Sequence, residues 1–530
     1  MIDNLAGRSG SAMSCDVAII GAGTIGLVIA TALARKGLSV LCLESGDWKQ
    51  TGDEHPLNQV VQTGTTYLGA AHGRFRGLGG TSTRWGGALI PFQAPDIVDA
   101  NWPVPHAEIM KYCEAVEELF GLPTGSYDLR GLLGTGATSF VARLAKWPPF
   151  SKRNVFHLVE TEVRSERGPG IVLNATVTDF RVTDGRLQNV VARSSDGARM
   201  TVSAREFVFA AGAIETTRLL LLLDRQNGGV LSRCGDQLGR NFHDHLSVMV
   251  GTFEVSDLKK LNRLVGFRFE AKGAMRNLRF ELSENSPLRG TIPPLFAHIA
   301  FAEEQGNGFS SLRGLLRYAQ QRRFPPLSAI VGLARSAPWL LRALWWRFFE
   351  KRLLYPDAAR LEAHIVLEQQ PRAENRISLS AAKVDEFAQP LAEIAWSVGP
   401  EDLRNIAKAA AAFVEFWNSS PFAAITRLVP RKEAEILSDF AGAGGIYHPA
   451  GSTRMAASPE LGVVDNHLRV FGLRNATVAS TSAFPTGGGA NPTMMLLMLS
   501  LRLVDELSEQ VAAQGRTTPA FAKMSAGAER

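Results

Sequence analysis

Two glycine-rich turns and three histidines in this 530-residue chain have types and spacing that could do chemistry. Gly21, Gly23 and Gly26 form G-x-G-x-x-G directly after the apolar run CDVAII. The first glycine allows a tight turn, the second lets backbone approach a pyrophosphate, and the third lets a helix pack close to a strand. Free N–H groups and the positive dipole end of that helix then face the phosphates. Glu44 ends the following apolar run, where a carboxylate accepts hydrogen bonds from ribose hydroxyls and repels a 2′-phosphate. These residues mark a dinucleotide site and leave FAD and NAD both open. A second glycine-rich stretch, 64–90, also needs backbone to approach something closely. His243, Asp244 and His245 lack further clustered ligands, which argues against a metal and for a structural role fixing a loop beside the cofactor domain. No G-x-S-x-G elbow supports a serine hydrolase.

The elements that must position these residues follow from local pattern. Residues 15–46 alternate strand, turn, Ala/Leu-rich helix and strand, with Gly37 closing the helix. Such a unit belongs to a parallel α/β sheet. Residues 171–210 alternate apolar and polar around Asp184-Gly185, a hairpin signal. EFVFAAGAIETTRLLLLL returns to a buried strand, a glycine turn and a helix, and NPTMMLLMLSLRLVDEL is a terminal helix that Asn491-Pro492 suits as a start. Length and 45% hydrophobic composition exceed one ordinary domain.

The segment His448-Pro449-Ala450-Gly451-Ser452-Thr453-Arg454-Met455, followed by VFGLRNATVASTSAFPTGGGANPTMM, resembles the glucose–methanol–choline (GMC) family of FAD-dependent oxidoreductases. GRFRGLGGTSTRWGGAL, EFVFAAGAIETTRLL and GRNFHDHL resemble further elements of that family, in its order, from residue 16 to about 507. The resemblance implies FAD and hydride transfer from an alcohol carbon. His448 matches the catalytic histidine and Asn491 its second member, which assigns the chain to the His–Asn subset. It implies cofactor contacts at Gly21, Gly23, Thr24, Ile25, Gly26 and Glu44, at Gly79, Gly80, Thr81, Ser82, Trp85, Gly86 and Gly87, at Val177, Ala211 and Gly212, and at Ser480, Thr486, Pro492 and Thr493. Ser480 stands where the family often has aspartate. The loop Ser82-Thr83-Arg84-Trp85 holds no histidine, so non-covalent FAD is expected.

The implied architecture is α/β: a discontinuous Rossmann-like FAD-binding domain, 14–245 plus 441–512, and an α+β substrate domain on an antiparallel sheet, 246–440. Segments between 91 and 160 are candidates to join the latter, and 513–530 forms a flexible tail. The substrate expected is an alcohol, a sugar, glycoside or other polyol, with oxygen, a quinone or a protein as electron acceptor. The alternative is a catalytically degenerate flavin-binding protein acting as a membrane-associated partner, against which the intact His448 and Asn491 argue.

Charge is unevenly spread. Between Arg313 and Arg352 nine cations face Glu350 alone, so this segment carries +8 and the rest about −2 of the total +6. The basic balance is local and does not indicate nucleic acid. Within it, 324–356 interleaves Trp339, Trp345, Trp346, Phe348 and Phe349 with Arg335, Arg342, Arg347, Lys351 and Arg352. A packed helix pair with solvated charges is the first expectation; docking on an anionic membrane and a lid over the substrate are the alternatives. No apolar run is long enough to span a bilayer. Four scattered cysteines and the absence of a secretory pattern lead to the expectation of a cytoplasmic protein, at most peripheral to the inner face of a membrane.

Overall fold

The computed structural model describes residues 1–7, 10–48, 54–129, 139–231, 235–302, 308–320, 324–356 and 359–515. The expected tail lies outside them from residue 516 on, as do Cys234, Arg322 and Arg323.

The α/β class holds, with one largely parallel and one antiparallel sheet. The first runs, in spatial order, Ile2–Asn4, Gly170–Leu173, Val40–Leu43, Ser11–Ile20, Arg199–Phe209, Arg186–Arg193 and Thr176–Thr183, and Ala476–Val478 pairs in parallel with Arg199–Phe209. Ser11–Ile20 is buried from Cys15 onward, which explains the continuous apolar run in its second half. Thr24–Arg35 follows as a helix and ends at Lys36 and Gly37, whose φ of +81° a side chain would strain. The hairpin expected at Asp184-Gly185 is present, both residues having positive φ, 49° and 68°. Nothing in the sequence marks Ile2–Asn4 as a strand; three residues are held there by pairing with Gly170–Leu173.

The antiparallel sheet runs Arg268–Phe269, Met275–Leu282, Leu295–Ala302, Arg360–Glu368, His245–Val255 and Thr426–Pro430, with Phe140–Trp147 paired to Met275–Leu282. Its two faces differ in kind. Leu278, Phe280, Leu295, Ala297, Ala363, Ile365, Leu246 and Val248 are buried in a core shared with the helix Pro400–Ser419, which adds Ile406, Phe413, Phe416 and Trp417. The alternate positions, which period 2 turns to the opposite face, are Arg143, Arg279, Glu281, Phe296, His298, Glu362, His364, Glu368 and His245. A third, small sheet joins Arg376–Val384, Pro390–Trp396 and Val60–Gly64.

The last helix, Thr493–Ala513, packs against Thr24–Arg35 and buries Met494, Leu497, Met498 and Leu499. Each such side chain contributes about 1.5–3 kcal/mol, enough to hold the C-terminal segment on the N-terminal unit. The basic, tryptophan-rich segment departs from its first expectation. Leu327–Arg335 and Ala337–Trp345 bury none of their side chains. Each of these nine-residue helices carries one cation, Arg335 or Arg342, and both lie against the helix Gly308–Gln320 rather than in the core. Among the described residues no helix is long and apolar enough to cross a membrane.

Candidate active site

A cleft with about 1280 Å³ of empty space opens along the ends of the parallel strands. Gly21, Gly23, Thr24, Ile25, Glu44, Gly80, Thr81, Ser82, Trp85, Ala211, Gly212, Ser480, Pro492 and Thr493 line it, together with His448. Other residues named from the sequence stand outside that lining. Gly26 lies behind it, where a Cβ would stand 1.9 Å from the Gly21 carbonyl oxygen. Gly79 donates its N–H to the Ala22 carbonyl at 3.0 Å. Gly86, Gly87 and Val177 do not reach it, and Thr486 lines a second cavity, donating to Glu368 at 2.5–2.6 Å.

Glu44 organises the turn through backbone. Its carboxylate accepts from the N–H groups of Ala22, Gly46 and Gly77 at 2.8–2.9 Å. Further along the wall stand Arg74 and Arg76, which the sequence reading did not single out. Both face Glu215, with Arg76 at 2.8 Å and Arg74 at 3.5 Å, and Arg218 completes the group at 2.9 Å. Burial pulls Arg74 down to about 10. The Glu215 carboxyl is held down at about 2, because its three guanidinium neighbours outweigh the opposing effect of burial.

His448 sits at the end of the cleft after Tyr447, whose φ is +68°. Its backbone N–H donates to both oxygens of Asp244 at 2.9 and 3.0 Å. The same carboxylate accepts from the Tyr67 hydroxyl and the His245 N–H, both at 2.6 Å. Burial pushes Asp244 up to about 7 against these donors. The structural role expected of the His243–His245 element is thus visible as a clamp on the loop that carries His448. Donor atoms of Asp244, His245 and His448 lie within 4.8 Å of one another. The Asp244 oxygens are engaged as above, and His245 Nε2 meets the Gly488 carbonyl at 2.7 Å.

Three side chains then form a directed chain. Arg279 Nη2 donates to Asn491 Oδ1 at 2.9 Å, and Asn491 Nδ2 lies 3.2 Å from His448 Nε2. Because a guanidinium only donates, it fixes the amide with its NH₂ toward the imidazole. Nε2 of His448 is therefore an acceptor, and the ring proton belongs on Nδ1. Burial, with His245 and Arg279 adding to it, holds the His448 pKa well below its ordinary value, so the ring is neutral at neutral pH. Arg279 carried no sequence signal, since it is one polar residue in an alternating strand.

Residues 371–500 match the profile of the GMC oxidoreductase family, and 19–48 match an NAD(P)-binding Rossmann-like domain. Over residues 371–500 the chain is similar to the GMC oxidoreductase family. It is 25% identical to the paromamine 6'-oxidase of Streptomyces fradiae over 92% of this chain and 90% of that one. It is 22% identical to the fructose dehydrogenase large subunit of Gluconobacter japonicus over 94% and 98%. Pyridoxine 4-oxidase from Mesorbium loti has the same fold, with a TM-score of 0.56 at 16% identity, covering 93% of this chain and 99% of its own. FAD is the cofactor the GMC family implies, and the cleft fits it. A Cβ on Gly80 would stand 2.8 Å from the Gly23 Cα, so two glycine backbones meet where a phosphate approach is needed. Among the described residues no side chain caps the N-terminus of Thr24–Arg35, which leaves its first N–H groups to a ligand.

Proposed function

We propose that this chain is a GMC oxidoreductase that removes a hydride from the CH–OH carbon of an alcohol, a sugar, glycoside or other polyol, with His448 and Asn491 as a His–Asn pair. The neutral His448 Nε2, at the cleft end and paired with the Asn491 amide, carries this reading. An alcohol oxygen seated between them gives its proton to Nε2 and accepts from the amide N–H. Bound FAD supplies the hydride acceptor. Non-covalent binding is supported by the absence of histidine in Ser82–Trp85. The division into 14–245 plus 441–512 and 246–440 belongs to the same proposal. An anaerobic screen of polyols should bleach the flavin with the native enzyme, and oxygen, a quinone or a protein acceptor added afterwards should restore its colour. His448→Ala should bind FAD and lose about 10²–10⁴-fold in flavin reduction. Near-normal reduction by that variant sinks the assignment, and a chain that no alcohol reduces would be the degenerate flavoprotein.

The segment 324–356 supports peripheral docking on an anionic bilayer at the inner face of a membrane. Phe324 is 99% exposed, and Leu327, Ile330, Leu341, Leu344, Trp345, Phe348 and Phe349 are exposed with it. Arg335, Arg342, Lys351 and Arg352 lie among them. Apolar insertion flanked by cations suits anionic headgroups. Co-sedimentation with vesicles containing phosphatidylglycerol, weakened by salt and absent with phosphatidylcholine alone, is the expected result. Equal behaviour with both vesicles removes the idea.

A further inference from the structure

Arg279 is spent only in part on Asn491. It is 3% exposed, yet among the described residues its Nε and Nη1 have no hydrogen-bond partner. A buried guanidinium with two idle N–H-bearing nitrogens is costly unless a ligand meets them. The sheet register sets it in a row. Arg279 pairs with Arg143 on one side, and the pairing of Phe280 with Ala297 places His298 next to it on the other. His298 pairs with His364, their rings 5.6 Å apart. His298 Nδ1 is also buried and, among the described residues, without a partner.

The acids of this face are engaged, Glu281 through its Oε2 alone. Glu281 is held by Arg143 at 2.5 Å and by Gln93 at 3.1 Å. Glu362 meets His364 at 3.0 Å and Arg360 at 2.6 Å. Glu368 takes the Thr486 hydroxyl and the Gly487 N–H. Beneath Arg279 lies the Phe296 ring, 4.2 Å from the guanidinium carbon, which orients the fork and donates nothing to it. Beside the His448–Asn491 pair the free N–H-bearing nitrogens are thus the Nε and Nη1 of Arg279, with one carboxylate oxygen, Glu281 Oε1, also free of hydrogen bonds among the described residues.

We infer that Arg279, with His298 beside it, binds an anionic oxygen group of the substrate, a carboxylate or a phosphate ester, while the alcohol to be oxidised lies at His448 and Asn491. This rests on the proposed oxidation of an alcohol at that pair and narrows its substrate to a hydroxy acid or an acidic polyol. An amine-bearing polyol would meet a buried cation of its own sign. Guanidinium recognises either anion through charge-assisted hydrogen bonds, stronger than those to a neutral hydroxyl.

The test separates binding from turnover. FAD-loaded protein is titrated with acetate, inorganic phosphate and the neutral isostere acetamide, following the flavin absorption spectrum and the thermal midpoint. Saturable perturbation by acetate or by phosphate, at least about tenfold tighter than by acetamide, is expected, and the tighter anion names the group. Arg279→Met should lose that preference and Arg279→Lys should retain part of it. His448→Ala should keep the anion affinity while losing flavin reduction, so a failure of the oxidation reading leaves this result standing. Equal affinity for acetate and acetamide, or undiminished acetate affinity in a folded, FAD-loaded Arg279→Met, overturns the inference. In turnover, lactate should reduce the flavin in preference to 1,2-propanediol; the reverse order also overturns it.

Discussion

The glycine-rich cleft and the polar face of the antiparallel sheet are built from different materials. Around Gly21–Gly26 and Gly80 the cleft wall is backbone, brought close by absent side chains and oriented by a helix N-terminus. On the antiparallel sheet the surface is side chain. Arg279, His298, His364 and Glu281 alternate with apolar residues that serve the core behind them. A backbone-built site tolerates almost no added atom. A side-chain-built site keeps its shape when one group changes and loses only the chemistry of that group.

The largest effect expected from this difference is at Gly26. A Cβ there would stand 1.9 Å from the Gly21 oxygen, a backbone atom that cannot swing aside. Gly26→Ala should displace the turn and cost at least about 3 kcal/mol, or roughly a hundredfold in FAD affinity. The purified variant should be colourless, as flavin absorbance would show. Flavin uptake at native affinity would break the comparison, because it would mean that the turn yields as a side chain does.

A smaller effect is expected from pH. With His448 as the proposed base, the unprotonated ring is the active form, so flavin reduction is lost as pH falls through its folded pKa. Burial, His245 and Arg279 all lower that pKa, so the acid limb of kcat/KM should lie well below pH 6.5, with activity flat from there to about pH 8. Arg279→Met removes one lowering influence and should move the limb upward without changing the fold. An acid limb near 7 that moves with Asp244→Asn would assign it instead to the carboxyl that clamps the His448 backbone, since burial raises Asp244 to about 7.

The same contrast explains what the sequence could disclose. Glycine spacing is a direct record of backbone conformation, so the dinucleotide turn, Glu44 and the Asp184-Gly185 hairpin are legible residue by residue. The order of short elements along the chain carried the family, and with it the pairing of His448 and Asn491 across 43 positions. Arg279, Arg74 and Tyr67 could not be read in this way. Their partners Asn491, Glu215 and Asp244 are 212, 141 and 177 residues away, and nothing local distinguishes a strand arginine that reaches a site from one that meets solvent. Thr486 shows the converse. Its place in the F-P-T turn put it among the cofactor residues, and its hydroxyl is committed to Glu368.

The smallest expected effect tests a third kind of surface. Amphipathic helices are ordinarily held by burying one face, and Thr493–Ala513 obeys this: Leu497 is fully buried, and Leu497→Ala should cost about 2–5 kcal/mol. Leu344 sits in a helix of similar apolar content, yet it is 51% exposed and its helix buries nothing. Leu344→Ser should therefore change unfolding free energy by no more than about 0.5 kcal/mol. Chemical denaturation of the two variants gives the ratio directly. If Leu344→Ser destabilised as Leu497→Ala does, the tryptophan-rich helices would be packed after all and their apolar residues would belong to the fold. If it is neutral in solution but weakens sedimentation with anionic vesicles, the same leucine serves a surface outside the protein. Its hydrophobicity then says nothing about the core.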